Sequence, residues 1–469
     1  MDVRVRVAIA ACAMATFLVN MDNTIVNLAL PAINRDLRPS LSGLQWIVDS
    51  YLLVLASLVI FSGALGDRLG RKPVFQVGLA LFAFGSLLSA VAPTADWLVA
   101  FRAVQAIGGS MLVPVGMSLV TNMARNPVER ARALAFWGVV VGVGMASGPL
   151  LGGPLVHFLG WRSVFWINIP IVAIVMVLVQ VFVTNSRAEV GRRFDAVGQV
   201  LIFAVLTSLI FTIIEFPHRG LSFATLAAAA AFVLSLAALL KYELVRDEPL
   251  IDMRFFKSIP FGSAAGVAVC NYAAMGGFLF LNTLFLQEAR GYSALLAGAL
   301  IVPMALFTAV FAYVSGHVML KWGPIVPLVI AGSSIVVATA LWVSGAVWNS
   351  MPLIITSYCL FGIGFGGANT PVNTIAMAGV PRSQAGVAGA IASSSRQLGQ
   401  CIGVALSGAL LAATLGSTDL ATNFVNSSLA GWIFIGTCGL MIVVLALVSS
   451  TDRARSSSAR VAKTFDLDR

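Results

Sequence analysis

Residues 197–240 read V-G-Q-V-L-I-F-A-V-L-T-S-L-I-F-T-I-I-E-F-P-H-R-G-L-S-F-A-T-L-A-A-A-A-A-F-V-L-S-L-A-A-L-L. Two apolar runs, 197–214 and 223–240, flank a short polar break that opens at Glu215. A helix crossing the hydrocarbon core needs about 20 apolar residues, so each run reads as a membrane span. Working outward, six further runs precede this pair: 7–28, 44–65, 74–92, 97–121, 134–156 and 164–183. Six follow it: 261–284, 295–319, 325–347, 353–377, 386–413 and 429–449. The pattern predicts fourteen spanning helices arranged as six, two and six.

Composition agrees. The chain has 469 residues, 59% hydrophobic and only 10% charged. Soluble domains carry about 25% charged residues, and disorder needs few apolar residues and many charges. Both classes are excluded. The apolar residues come in long runs rather than the alternating segments of a barrel, so the expected class is an all-α polytopic membrane protein. The loops are short and leave no room for a soluble catalytic domain.

The net charge is +10, and its distribution sets orientation. With the N-terminus in the cytoplasm, 22 of the 29 basic residues fall in inside segments and five in outside ones; Arg102 and Arg396 fall within spans. This obeys the positive-inside rule and places both termini in the cytoplasm. It also accounts for the excess charge without nucleic acid. The expected division is a six-helix bundle at 1–190, two linker helices at 191–258, a second bundle at 259–450 and a cytoplasmic tail at 451–469. The Ser/Arg-rich tail is expected to be disordered. Arg4 and Arg6 ahead of an apolar run could suggest a signal peptide, but that run is long and carries Asn20, Asp22, Asn23 and Asn27, so a retained first helix is expected.

Enzyme motifs fail on context. Gly362-x-Gly364-x-x-Gly367 has the dinucleotide-binding spacing but lies inside an apolar span with no preceding strand, where small residues serve helix packing. No G-x-x-x-x-G-K-[ST] phosphate loop occurs, so ATP is not expected to drive the chain directly. The five cysteines sit singly in apolar runs, and His157, His218 and His317 lack metal-ligand spacing. No metal, cofactor or enzymatic activity is expected.

Ionisable groups within the membrane are the sharper signal, because charge at the bilayer centre costs about 2.5–3.5 kcal/mol and needs a partner or a task. Asp22, Asp49 and Arg102 fall in the first, second and fourth runs. Burial raises a carboxyl pKa and a nearby Arg lowers it, so a site alternating between such environments can take and release a proton. These three residues are the predicted proton-coupling group. Arg102 and Gln105 share a helix face. Thr16, Asn20, Asn23, Thr24 and Asn27 form a polar stripe on the first helix, with Asp22 about 100° round from Asn23. Asn20, Asn23, Asn27, Gln105, Asn271, Arg396 and Gln400 are predicted to line the substrate cavity.

Two glycine patterns add moving parts. Residues 144–153 read G-M-A-S-G-P-L-L-G-G. Gly144, Gly148, Gly152 and Gly153 bare one face for close packing, and Pro149 bends the helix. Residues 63–72 read G-A-L-G-D-R-L-G-R-K, expected as a turn set by Gly63, Gly66 and Gly70 in which Asp67 latches to Arg68, Arg71 and Lys72. A degenerate copy, G-H-V-M-L-K-W-G at 316–323, follows the second helix of the later six. Duplicated halves are a transporter arrangement.

These motifs together resemble the fourteen-helix drug:proton antiporters of the major facilitator superfamily. Asp22-N-T-I-V-Asn27-L-A-L-Pro31 resembles the family's first-helix motif, and residues 63–72 its gating loop. Arg102-A-V-Gln105-A-I-Gly108 is similar to the proton-relay motif, with Ala106 where the family more often has Gly. Residues 144–153 resemble the antiporter motif. Trp161-Arg162…Asn168-I-Pro170 and Leu286-Gln287…Gly291-Tyr292 also look familial. The resemblance implies two six-helix bundles plus two central helices, alternating access, proton uptake at Asp22 with Asp49, and a relay role for Arg102. Family members that export dications carry acids in the later half. The tenth and thirteenth spans here have none, which favours neutral or singly cationic lipophiles.

The expected activity is therefore proton-coupled efflux of lipophilic compounds by a monomer in a bacterial cell membrane. Export of one endogenous metabolite or antibiotic, proton-coupled uptake, a channel, and a membrane enzyme or receptor are the alternatives.

Overall fold

The computed structural model describes residues 2–124, 126–187, 195–246, 252–377, 385–415 and 420–467. Arg125, Arg192, Arg193, Arg382 and Arg469 of the charge pattern, and the boundary expected at 190/191, lie outside them. Among the described residues the regular structure is helical, and fourteen helices are long and apolar enough to cross a membrane. The helices start where sequence chemistry lets them. Ser40 Oγ accepts from Gly43 N–H at 3.1 Å and Asn126 Oδ1 from Glu129 N–H at 2.8 Å, each covering an orphan donor of a first turn.

One compact unit is Met1–Gln199 with Gly291–Ala299. Its helices are α1 (Val3–Leu37), α2 (Leu41–Leu69), α3 (Arg71–Ala90), α4 (Ala95–Met123), α5 (Pro127–Leu159), α6 (Ser163–Trp166) and α7 (Asn168–Phe182). The packed pairs are α3 with α4, α1 with α5 and α2 with α4, while α1 also meets α4 and α7. Lipid tails are as apolar as leucine, so these pairs associate through close van der Waals fit at small residues. A Cβ at Gly108 would fall on the backbone of Phe82 and one at Gly85 on that of Gln105, so α3 and α4 touch main chain to main chain. Gly148 presses against Thr24, and Gly144 and Gly152 also face α1. Thr24 Oγ1 donates to Met145 O at 3.1 Å across the same seam.

The other compact unit is Val200–Arg290 with Leu300–Arg469. It holds α8 (Ala196–Arg219, from residue 200), α9 (Phe223–Val245), α10 (Ile259–Leu284), α11 (Ala294–Trp322, from residue 300), α12 (Ile325–Val347), α13 (Met351–Met377), α14 (Ala385–Leu415), α15 (Leu420–Ser449) and α16 (Asp452–Leu467). The main pairs are α10 with α14, α12 with α13, and α12 with α15. The glycines of the nucleotide-like spacing serve packing: a Cβ at Gly364 would stand 2.7 Å from Ala331 O on α12. Ile202 and Val205 of α8 meet Leu239 of α9 in a small apolar cluster.

Four local features depart from the sequence reading. The sixth span is broken between α6 and α7, because Pro170 has no N–H for the Trp166 carbonyl. The ninth continues past α10 into a π-helical turn, Phe285–Ala289, where Arg290 N–H reaches Phe285 O at 2.9 Å. The stretch 63–72 is not a loop over its whole length. Gly63 and Gly66 are inside α2, with Gly66 against Val115 of α4, and Asp67 and Arg68 form its last turn. Only Gly70, at φ 105°, turns the chain. Gly323, its counterpart in the degenerate copy, ends α11 at φ 80°, so the two copies share a backbone stop. Finally, the tail expected to be disordered includes α16, which buries Ala454, Ser457 and Val461 at helical spacing; Val461 joins Phe255 and Phe261 in one cluster. Ile259 N–H donates to Ser457 Oγ at 3.0 Å.

The glycine contacts separate tight seams from open faces. Gly108→Ala is expected to lower stability by about 1–3 kcal/mol through overpacking. Gly138→Ala, where a Cβ meets nothing within 4 Å, is expected to be neutral or stabilising by up to about 1 kcal/mol. Thermal unfolding of the detergent-solubilised protein, followed by a thiol-reactive dye at the buried cysteines, measures both.

Candidate functional site

The first unit encloses a charged cluster built from five helices. Asp22 on α1, Arg102 and Gln105 on α4, Asn168 at the start of α7, Ser86 on α3 and Tyr51 on α2 are all at most 1% exposed. Arg102 Nη1 donates to Asp22 Oδ2 and, at 2.7 Å, to Gln105 Oε1. Asp22 Oδ1 accepts from Gln105 Nε2 at 3.0 Å and Asn168 Nδ2 at 3.3 Å. Ser86 Oγ accepts from Asn168 Nδ2 at 2.9 Å and donates to Phe165 O at 3.0 Å. Arg102 Nε reaches Ile47 O at 3.4 Å, and its guanidinium carbon lies 4.0 Å from the centre of the Tyr51 ring. A cation over an aromatic face, shielded from water, gains about 2 kcal/mol.

Local structure explains the convergence. The three-residue spacing of Arg102 and Gln105 puts both on one face of α4, and Gly85 and Gly108 let α3 and α4 approach closely enough to bring Ser86 alongside. The break before Asn168 turns its amide into the same space. Asp22 is thus held by donors from α4 and α7. An ionised carboxylate is acceptor-only, so a proton arriving on it removes its charge and adds a donor among groups that themselves donate to it.

Of the predicted proton-coupling residues, Asp22 and Arg102 form an ion pair. Asp49 is fully buried on α2, in sequence between Ile47 and Tyr51, the two residues that hold the guanidinium. Gln105, predicted in the substrate cavity, is instead wholly buried, with its amide spent inside the ion cluster. The asparagine stripe points away from it. Asn20 Nδ2 donates to Thr16 O at 2.8 Å and Asn27 Nδ2 to Asn23 O at 3.3 Å. In the latch segment Asp67 pairs with Arg71 at 2.8 Å. Lys72 Nζ donates to Gln180 O at 2.8 Å and Arg71 N–H to Ser186 O at 2.9 Å, tying the turn to the last turn of α7 and the chain after it, while Arg68 is exposed. Trp161 Nε1 and Arg162 both bind Asp36 at the end of α1, at 2.9 and 2.6 Å.

The second unit has its own polar group on α10, α13 and α14. Asn271 Nδ2 donates to Phe365 O at 3.2 Å, Tyr272 OH to Asn369 Oδ1 at 3.3 Å, and Arg396 Nη1 to Asn373 Oδ1 at 2.9 Å. Gln400 lies buried one turn beyond Arg396. Sequence reasoning missed Asn168, Ser86 and Tyr51 in the first unit and Tyr272, Asn369 and Asn373 in the second. Asn168 was signalled by its place beside Pro170, and Asn369/Asn373 by their spacing of four; an isolated serine or tyrosine in an apolar run gives no such signal.

Membrane helices packed around a buried carboxylate–guanidinium pair are the setting expected of a membrane transporter. The sequence pattern of the Major Facilitator Superfamily matches residues 12–404, and the chain belongs to that family as a multi-pass membrane protein. It is 33% identical over 409 residues to the multidrug resistance protein Stp of Mycobacterium tuberculosis, covering 87% of this chain and 76% of that one. It is 34% identical over 410 residues, with the same coverage, to the tetracenomycin C resistance and export protein of Streptomyces glaucescens. The multidrug efflux pump LfrA of Mycolicibacterium smegmatis is 33% identical over 411 residues, covering 87% and 81%. Among solved structures, the fold is similar to a bacterial homologue of the human lysosomal transporter Spinster, with TM-score 0.66, 17% identity and coverage of 100% and 99%. A POT family transporter in complex with a thioalcohol-conjugated peptide gives TM-score 0.69, 16% identity and coverage of 95% and 96%.

Asn168 supplies a donor to Asp22 and another to Ser86. Asn168→Ala is expected to cost about 1–3 kcal/mol, the range for leaving buried polar groups unsatisfied. Asn168→Asp, which sets a second carboxylate beside Asp22, is expected to cost more. Thermal unfolding of the purified variants ranks them.

Proposed function

We propose that this protein is a proton-coupled exporter of lipophilic, neutral or singly cationic compounds, working by alternating access as a monomer in the bacterial cytoplasmic membrane. Two six-helix bundles at 1–190 and 259–450, joined by linker helices at 191–258, are the moving bodies, and 451–469 is a cytoplasmic tail. The observation that carries the reading is the Asp22–Arg102 pair, wholly buried and bonded across three helices. The names of the similar proteins, which describe drug efflux and antibiotic resistance, support export over uptake.

The geometry gives the coupling a physical form. Arg102 pairs with Asp22, and the bonds from Gln105 and Asn168 fix α1 to α4 and α7. A proton reaching Asp22 removes the charge that Arg102 answers to. The guanidinium keeps Tyr51 and the Ile47 carbonyl, so it shifts its hold toward α2, where Asp49 is the second acid. The contacts between α1 and α4 loosen together, and the relative stability of the two access states changes. One pH unit across the membrane supplies about 1.4 kcal/mol per proton, and each 100 mV about 2.3 kcal/mol per charge. Either is enough to reverse a near-balanced equilibrium.

Everted membrane vesicles test this with ethidium and an imposed pH gradient. Asp22→Asn preserves shape and is expected to reduce gradient-driven ethidium movement at least tenfold. Gradient-driven transport at the wild-type rate in that variant would sink the coupling assignment.

A further inference from the structure

Among the described residues Arg396 is a membrane cation without a carboxylate partner. It lies about 16 Å along α14, counting 1.5 Å per residue from Ala385, and is half-buried. Its hydrogen bond among the described residues goes to the neutral amide of Asn373. Sequence makes the lack of an acid general to its surroundings. No Asp or Glu occurs between Glu288 and Asp419, and α10 and α15 contain none. So none of the helices packed around Arg396 within its unit carries a carboxylate. The contrast with Arg102 is plain: the one guanidinium is sealed on Asp22, and the other still presents donors on a half-open face.

The side chains around it are suited to a ligand. Asn369 and Asn373 are four apart and share a face of α13. Tyr272 donates to Asn369, and its ring meets Phe365 edge-on at 5.1 Å. Asn271 and Gln400 are buried beside them. The base is rigid, because α14 meets α10 backbone to backbone: a Cβ at Gly399 would fall on Val269, and one at Gly403 on Ala273. A fixed guanidinium fork beside amides and an aromatic wall matches a planar anion carried on an apolar body, since a guanidinium binds a carboxylate through two parallel N–H···O bonds.

We propose that Arg396 is a cargo-binding residue that supplies the counter-charge for lipophilic organic acids, taking a carboxylate or phenolate on its free donors. This rests on the export reading above and widens the cargo class from neutral and singly cationic compounds to monoanions. The same missing acids that disfavour dications leave this cation for the cargo to neutralise.

The test compares 1-pyrenebutyric acid with its methyl ester, binding to the full-length protein in lipid nanodiscs at pH 7.5, read by pyrene anisotropy against protein-free nanodiscs. Wild type is expected to bind the acid at least tenfold more tightly than the ester. Arg396→Gln should bring the two affinities together by weakening binding of the acid, while Arg396→Lys keeps most of the preference. Asn373→Asp, which provides an internal counter-ion without removing the guanidinium, should abolish the preference independently. Equal affinities in wild type, no binding of the acid, or a preference that survives Arg396→Gln or Asn373→Asp would each overturn the proposal. If ethidium export stays proton-driven while the acid preference is absent, this inference alone falls. If the acid preference holds while ethidium export ignores the pH gradient, the coupling falls and the binding site stands.

Discussion

Everything in the first unit is arranged around the cost of putting an ion pair where water cannot reach it. Asp22 and Arg102 have given up hydration, and a buried pair of this kind is neutral to stability at best unless its remaining donors and acceptors are satisfied. The fold answers by bringing Gln105, Asn168, Ser86, the Ile47 carbonyl and the Tyr51 face to it. Such a network contributes little net stability. Its value is that the bonds depend on one charge, so a change at a single oxygen is felt on several helices.

Close backbone approach is the second constraint, and it serves the first. Without Gly85 and Gly108, α3 and α4 would stand apart and Gln105 would not reach Ser86. The same device seats α5 on α1 through Gly144, Gly148 and Gly152, and α14 on α10 through Gly399 and Gly403. Seams of small residues bring the backbones of each helix pair into van der Waals contact, which fixes the pair within its unit and holds the polar side chains beside it in place.

Much of this was legible in the amino-acid order. Long apolar runs count helices because a bilayer leaves the backbone no other solution, and ionisable residues stand out against them. Asp22, Arg102 and Gln105 could be picked by type and spacing. Their partners could not. Ser86 and Tyr51 look like ordinary small or aromatic packing residues until the helices are assembled, and Gln105 looked like a cavity residue because spacing shows which face a residue shares but not what that face meets. The segment at 63–72 misled through its glycines, which read as turn formers when all but Gly70 lie within helix. The tail misled through composition: sixteen residues with few large apolar groups bury Val461 and two small side chains, enough to dock a short helix but too little to register as an apolar stripe.

One helix differs from the rest in how little protein surrounds it. Only 11% of the most apolar window of α9 is buried within the protein. Its 23 residues make a rod about 34 Å long, a few ångströms more than a typical hydrocarbon thickness of about 30 Å. It packs on α8 through Leu239 against Ile202 and Val205. A rod of this length meets a change in membrane thickness by tilting, and its cluster with α8 and the short connection at Gly220 mean that the two helices would tilt together.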